Sequence, residues 1–322
     1  MNILVTGGAG YVGSTLVPLL LFSGHRVRVL DLLQHGGDSL LGVWSHPGFE
    51  FLYGDICDGK IIERGLSGMD AVVHLAAIVG DPACARKKEL AKAINIDASL
   101  SLIDAANEGE ISRFIFASTC SNYGKMKDPN RLVDETSELS PVSLYAETKV
   151  AIEKALLDSA DSNGFCPVLL RLATVFGVSP RMRFDLTVNE FAMEMYVKKH
   201  LVVYGEQFWR PYIHVRDAAR AILSVLKSGE EKVKGEVFNV GSSGENYQKQ
   251  QLVELILPYA PDAIVEYVHK DEDPRDYRVS FEKIKNRLGF TVEHTVKDGI
   301  EEIIGLAKDN IIKDYLREEY RN

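Results

Sequence analysis

A tyrosine and a lysine four residues apart, in Tyr145-Ala-Glu-Thr-Lys149, are the pair in this chain best suited to moving a proton. One helical turn separates them, so on a helix the phenol and the ammonium share a face. An unperturbed phenol, with a pKa near ~10, is a weak base at neutral pH. A neighbouring cation favours the phenolate, and the expectation is a Tyr145 pKa drawn down toward the working range. The same spacing arises by accident on amphipathic helices, so its surroundings decide its meaning. Upstream, the strand-like Phe114-Ile-Phe-Ala117 runs into Ser118-Thr-Cys-Ser121. Polar residues at the carboxyl end of a parallel strand face the crevice where open α/β sheets bind ligands, which puts the Thr119 hydroxyl within reach of the oxygen whose proton Tyr145 takes.

A second stretch supplies a cradle for a negative group. In Asn2-Ile-Leu-Val-Thr-Gly-Gly-Ala-Gly-Tyr-Val-Gly13 an apolar strand breaks into glycines and resumes as a helical pattern from Tyr11 to Leu21. Gly7, Gly10 and Gly13 suit a tight turn that carries a pyrophosphate to the unpaired N–H groups and positive dipole end of that helix. The run His25-Arg-Val-Arg-Val-Leu-Asp31 ends eighteen residues past Gly13, about where a Rossmann acid meets the adenosine ribose. A carboxylate there repels a 2′-phosphate, so NAD is expected rather than NADP.

The elements that must position these groups alternate. Strand-like runs fall at 26–30, 49–53, 71–75, 114–117 and 168–172, and apolar stripes at helical spacing cover 87–108 and 143–162. Such alternation implies right-handed crossovers and a parallel sheet covered on both sides. Beyond Gly177 the regularity weakens. A basic-aromatic segment, Ser179 to Asp185, precedes a helix at 187–199 and a short strand at 202–204. The segment 212–215 leads into a helix at 216–227, and 237–240 is another strand. Helices at 247–258, 280–288 and 295–319 follow, with the charged stretch 270–278 between the first two.

The expected fold is α/β: a Rossmann-type doubly wound parallel sheet over residues 1–177, rejoined by a return segment at about 210–240. A smaller C-terminal substrate-binding lobe is expected from 178–209 and 241–322. The 322 residues suffice for one large domain or two closely joined ones, and 46% hydrophobic with 26% charged residues is an ordinary globular composition. A net charge of −9 argues against a nucleic-acid or membrane-surface binder. The four cysteines form no CxxC pair and no cluster with histidine, so neither a metal site nor a disulfide scaffold is expected, and a reduced, cytoplasmic protein is. No secretory leader pattern or apolar run of membrane-spanning length stands out.

Taken together these motifs resemble the extended short-chain dehydrogenase/reductase family, in particular the nucleotide-sugar epimerases, dehydratases and reductases. The matching pieces are Thr6 to Gly13, Asp31, Gly54-Asp55-Ile56, His74-Leu75-Ala76-Ala77, Asn95, Ser118-Thr119 through Tyr123-Gly124, Tyr145 with Lys149, and Arg210-Pro-Tyr-Ile-His-Val-Arg-Asp217. The resemblance implies that Gly7, Gly10, Tyr11, Val12 and Gly13 bind the NAD pyrophosphate and Asp31 the adenosine ribose. Asp55 and Ile56 would flank adenine, Leu75, Ala76 and Ala77 would line the groove, and Asn95 would support the loops around the cofactor. It makes Thr119, Tyr145 and Lys149 the catalytic set, with Lys149 also on the nicotinamide ribose. Arg210, Arg275 and Asn189 become contacts to a nucleoside-diphosphate sugar, with Arg181 and Arg183 as further candidates. A homodimer built on the helices at 87–108 and 143–162 is implied as well.

Two departures narrow the activity. Where 4,6-dehydratases carry Asp-Glu directly after the threonine, this chain has Cys120 and Ser121, which counts against dehydration and leaves both as possible substrate contacts. Cys120 also suits a semi-buried packing role. Thr174 stands where most relatives have asparagine, a shorter reach to the substrate. His74 and His214 lie in strands and read as structural. The expectation is an NAD-dependent nucleotide-sugar epimerase acting through a transient 4-keto sugar. The alternatives are a 4-ketosugar reductase, more remotely a 4,6-dehydratase, and, from another class, a dinucleotide-binding sensor without chemistry.

Overall fold

Apolar runs without alternation, such as Ile3-Leu4-Val5 and Val168-Leu169-Leu170, suit strands buried on both faces. The computed structural model describes residues 1–109, 111–126, 128, 131–160, 164–271, 273 and 275–322. Its strands are β1 (Asn2–Thr6), β2 (Arg26–Asp31), β3 (Phe49–Tyr53), β4 (Ala71–His74), β5 (Arg113–Thr119), β6 (Cys166–Leu172), β7 (Thr174–Phe176), β8 (His200–Tyr204), β9 (Trp209–His214), β10 (Glu236–Val240), β11 (Asn246–Gln248) and β12 (Ile264–Val268). Its α-helices are α1 (Gly13–Phe22), α2 (Gly59–Leu66), α3 (Asp81–Arg86), α4 (Lys88–Lys92), α5 (Ser99–Glu108), α6 (Leu144–Asp158), α7 (Thr187–Met193), α8 (Val215–Lys227), α9 (Glu230–Val233), α10 (Lys249–Ile256), α11 (Glu282–Leu288) and α12 (Val296–Lys308).

Seven strands form one sheet in the order β3-β2-β1-β4-β5-β6-β10, every neighbouring pair parallel. Its order reverses between β1 and β4, so the crevice beyond their carboxyl ends is the expected ligand position of a doubly wound fold. Within β1, Ile3 and Val5 enter one apolar core and Leu4 the other. Burying each such side chain contributes roughly 1.5–3 kcal/mol. A third core, built on Phe184, Met195, Tyr212, Leu252 and Ile300, belongs to the smaller layer, with a three-stranded sheet (β11-β9-β7) and a parallel pair (β12-β8).

The two layers interleave more than the chain's periodicity suggests. Of the return segment, β10 joins the large sheet and α8 packs on α1, whereas β9 pairs with β7 and β11 in the small sheet. Phe281, Ile284 and Phe290, far along the chain, fill the large-sheet core. The helix expected over 87–108 is broken: α4 passes into a π-helical turn at Ala93–Ala98 before α5, which turns the buried Asn95 inward. The last helix stops at Lys308 rather than 319, because Asn310 takes a left-handed backbone angle (φ 54°). The strand β12 escapes the periodicity because most of its residues are exposed. Residues 161–162 of the expected 143–162 helix, and residues 272 and 274 of the charged stretch, lie outside the described residues. Among the described residues no helix is long and apolar enough to cross a membrane.

Candidate active site

The glycine loop follows β1 directly, and at Gly7 and Gly13 the glycine is required by space. Gly7 has φ 74°, and a Cβ there would lie 2.8 Å from the Ala76 backbone nitrogen; at Gly13 one would lie 2.4 Å from the Gly7 carbonyl oxygen. No side chain caps α1 at its start, and the Ser14 N–H is already taken by the Gly10 carbonyl (2.8 Å), so a negative ligand group is the natural partner for the N–H groups ahead of it. Asp31, at the end of β2, accepts from the Ala9 N–H through Oδ2 (2.9 Å) and from the Leu33 N–H through Oδ1 (2.8 Å). Burial pushes its carboxyl up, and the two N–H groups hold back part of that rise. The carboxylate is thus tied to the loop, with lone pairs left for hydroxyl donors. Leu75, Ala76 and Ala77, half-buried, continue from β4 beside Gly7, while Asp55 closes a turn onto the Cys57 N–H (2.9 Å) and Ile56 is buried. These residues fit a dinucleotide: a cradle closed to a Cβ at Gly7 and Gly13, an anchored acid and an apolar groove.

Some of the candidate residues are scaffold, Asn95 in line with the expectation that it supports the loops around the cofactor. Asn95 spends its amide on Ile78, accepting from the N–H (2.8 Å) and donating to the carbonyl (3.0 Å), so it shapes the loop after β4 instead of reaching a ligand. Asn189 was expected on the substrate but is fully buried. It accepts from the Gly177 N–H (2.9 Å) and donates to the Arg183 carbonyl (2.8 Å) and the Tyr11 hydroxyl (3.2 Å). The Tyr11 hydroxyl in turn donates to the Gly177 carbonyl (2.6 Å), so this side chain ties the glycine loop to the second layer. Cys120 takes the packing role it suits and not that of a substrate contact: it is 1% exposed, its Sγ donates to the Arg171 carbonyl (3.2 Å), and burial pushes its thiol well up. His74 is structural, bridging Thr6 Oγ1 (2.7 Å) and Ser99 Oγ (2.9 Å), and burial with the Lys149 charge lowers it to about 3.

Tyr145 and Lys149 ride on α6, whose N-cap Ser143 accepts from the Ala146 N–H (3.3 Å). Lys149 Nζ donates to the Ala117 carbonyl of β5 (2.8 Å), 4.6 Å from the Phe116 ring centroid and 5.8 Å from that of Tyr145. The pair therefore faces the carboxyl end of β5, where half-buried Thr119 accepts from the Ser121 N–H (3.1 Å). The expected lowering of the phenol is not found in the chain by itself. Burial, then the neighbouring Cys84 and Asp81, push Tyr145 up, while burial brings Lys149 down to about 8. The ammonium is spent on a carbonyl and a ring face, and desolvation dominates the phenol.

Beneath this pair lies a polar network that sequence reasoning missed. Glu153, one turn past Lys149, accepts from Arg171 Nη2 (2.7 Å) and Nε (3.0 Å), from Ser118 Oγ (2.5 Å) and from Asn122 Nδ2 (2.9 Å). Arg171 continues to the Tyr123 hydroxyl (3.0 Å), which donates to Asn239 Oδ1 (2.7 Å). The network fixes the register of α6 on β5 and β6. Half of its signal was present, since Arg171 is a charge inside an otherwise apolar strand, where burial demands a partner.

Across the crevice, Arg210 and Arg275 come together with two carboxylates. Arg210 Nη2 pairs with Asp273 Oδ2 (2.7 Å) and its other amino group reaches the Arg275 carbonyl, while its guanidinium lies over the Tyr277 ring (5.5 Å). The Tyr277 hydroxyl meets Ser121 Oγ (3.3 Å). Arg275 Nη1 pairs with Asp81 Oδ2 (2.7 Å), and Asp81 Oδ1 accepts from Ser143 Oγ (2.6 Å). Thr174, half-buried, lies in β7 opposite Tyr212 of β9. Arg183 pairs with Asp185 (2.8 Å), and Arg181 donates its backbone N–H to Ser14 Oγ (3.2 Å) at the start of α1. Among the described residues no three histidine, cysteine or acidic side chains are placed to hold a metal ion.

A parallel sheet with this strand order, a closed glycine cradle and a tyrosine–lysine helix at the crevice define a dinucleotide-binding Rossmann enzyme. Residues 3–241 match the NAD dependent epimerase/dehydratase family, and the chain belongs to that family. It is 31% identical to a dTDP-glucose 4,6-dehydratase of Streptomyces niveus, covering 96% of this chain and 94% of that one. It is 30% identical to a UDP-glucose 4-epimerase of Corynebacterium glutamicum, covering 92% of each. Among solved structures, the UDP-glucose 4-epimerase of Thermotoga maritima with UDP-glucose superposes with a TM-score of 0.85 at 27% identity, over 97% of this chain and all of that one. A Streptomyces venezuelae dTDP-glucose 4,6-dehydratase with NAD bound gives a TM-score of 0.84 at 26% identity, over 96% and 98%. The chain is an NAD-dependent enzyme of the nucleotide-sugar epimerase/dehydratase class.

Proposed function

We propose that this enzyme is a nucleotide-sugar epimerase working through a transient 4-keto sugar. NAD supplies a hydride acceptor that can also give the hydride back, so the net conversion is redox-neutral. Tyr145 takes the proton of the C4 hydroxyl and later returns it, Thr119 hydrogen-bonds the same oxygen, and Lys149 holds ribose hydroxyls beside them. Gly7, Gly10 and Gly13 carry the pyrophosphate and Asp31 the adenosine ribose. The smaller lobe holds the nucleoside diphosphate, with Arg210 and Arg275 offering planar forks to its oxygens. The free thiols, Cys57 exposed among them, suit a cytoplasmic setting.

The observation that carries epimerisation over dehydration is the pair after Thr119. Eliminating water across C5 and C6 needs an acid and a base beside those carbons. Here Cys120 is packed in the core and the Ser121 hydroxyl meets Tyr277, so neither position offers a carboxylate.

Incubating the purified enzyme with UDP-, GDP-, CDP- and dTDP-sugars tests the reading. One panel member is expected to yield its epimer without net change at the reduced-cofactor absorbance band, and Tyr145→Phe to lose at least ~100-fold in kcat. Stoichiometric consumption of reduced cofactor by a 4-keto sugar would make the enzyme a reductase. Full turnover by Tyr145→Phe would reject the mechanism.

A further inference from the structure

We propose that Asp81 is a positioning residue that holds Arg275 in place of a ligand phosphate and so couples diphosphate binding to the helix carrying Tyr145. This rests on the reading of Arg275 as a diphosphate contact. Asp81 sits at the first position of α3, directly after Gly80 (φ 94°), on the loop whose shape Asn95 sets through Ile78. Its two oxygens go to two different parts of the molecule. Oδ2 holds Arg275, from the segment beyond β12, and Oδ1 holds the hydroxyl of Ser143, the cap of α6 two residues before Tyr145.

Arg275 is the exchangeable member of the circuit. Its side chain is 40% exposed and that of Asp81 24%, whereas Arg210 and Asp273 are each 11% exposed. A half-exposed ion pair is worth little, and a diphosphate presents more negative charge and more acceptor oxygens than one carboxylate, so it can draw the guanidinium away. A free sugar has no such charge and leaves Arg275 on Asp81. Once Arg275 has moved, Asp81 keeps the Ser143 hydroxyl alone. A carboxylate relieved of its cation accepts that proton more strongly, and the polarised Ser143 oxygen becomes a better acceptor for the Ala146 N–H. Occupancy by the nucleotide thus tightens the first turn of α6, where Tyr145 sits, and the circuit also discriminates against sugars that lack a diphosphate.

The test uses the NAD-loaded enzyme titrated with UDP, dTDP, GDP and CDP by calorimetry, with kcat and KM measured on the accepted nucleotide sugar. Asp81→Asn removes the shorter of the two carboxylate contacts of Arg275 and leaves the longer one, to Asp273 Oδ1 (3.5 Å), and is expected to bind the preferred diphosphate about three- to tenfold more tightly while kcat falls. Loss of structure alone would not tighten binding. Ser143→Ala should lower kcat about fivefold and weaken diphosphate binding by a smaller factor, since the parking site stays but the cap that occupancy tightens is gone. On the wild-type enzyme, which removes any question of folding, saturating UDP or its preferred counterpart should slow hydrogen exchange at the Ala146 amide, and Arg275→Ala should abolish that slowing. Diphosphate affinity in Asp81→Asn equal to or below wild type, or an Ala146 amide indifferent to the ligand, would overturn the coupling while leaving the nucleotide-sugar reading intact. A wild-type enzyme that binds none of the four diphosphates would remove both.

Discussion

Two arginine–carboxylate pairs in this enzyme use the same groups for opposite ends. Arg171 and Glu153 lie beneath the crevice with side chains 5% and 3% exposed, and Glu153 has four donors. Arg275 and Asp81 lie at its mouth, 40% and 24% exposed, each with hydrogen-bonding capacity to spare. Arg210 and Asp273, 11% exposed on both sides, stand between them. Burial decides what each pair can do. A desolvated pair cannot part without stranding a charge, so it fixes geometry; a hydrated one can exchange partners, so it can serve a ligand.

That contrast predicts a graded series. Glu153→Gln leaves the Arg171 charge uncompensated and should destabilise the fold by about 3–5 kcal/mol in urea unfolding; a loss below ~1 kcal/mol would break the comparison.

Lys149 sharpens it from the other side, as a buried charge with a carbonyl but no carboxylate. Its native pKa of about 8 lies below the usual lysine value, so the unfolded chain keeps a proton that the native one has lost. Stability should therefore rise with pH from about 8 to ~10.4, by on the order of 3 kcal/mol, and Lys149→Met should remove that rise. An ε-labelled lysine resonance titrating near pH 8 and missing in the variant would identify the group.

Asp273→Asn should cost about 1.5–3 kcal/mol. Burial opposes ionisation of Asp273, but the Arg210 charge and the Arg275 N–H more than offset it and hold the carboxyl below its usual range. Its contribution is thus present above ~3.9, lost as pH falls through the native pKa, and missing from the acid limb of the variant. The smallest effect belongs to the mouth. Asp81→Asn should change stability by less than ~1 kcal/mol, and less still in 1 M salt.

Much of the large sheet was legible because its signals are local. The apolar runs, the glycine spacing and the acid ending β2 each need only neighbours in the chain, and the strands they imply form the parallel sheet. The smaller layer was read less well. Three-residue strands such as β7 and β11 carry no period, and β12 hides its pattern by exposure. Among the candidate site residues, glycine requirements and the Tyr145–Lys149 face could be read from spacing. Whether a polar side chain looks into the crevice or into the core could not, and that is where Asn189 departed from expectation.

The sequence alone determined a glycine cradle, an acid ending the second strand and a phenol one turn from an ammonium, because backbone sterics and helical period act over a few residues. Only the tertiary structure decided that burial raises the phenol and lowers the lysine, that Glu153 and Arg171 lock α6 in place, and that Arg275 rests on Asp81, 194 residues away. Desolvation and charge pairing depend on what surrounds a group in space, and at those separations the surroundings exist only once the chain has folded.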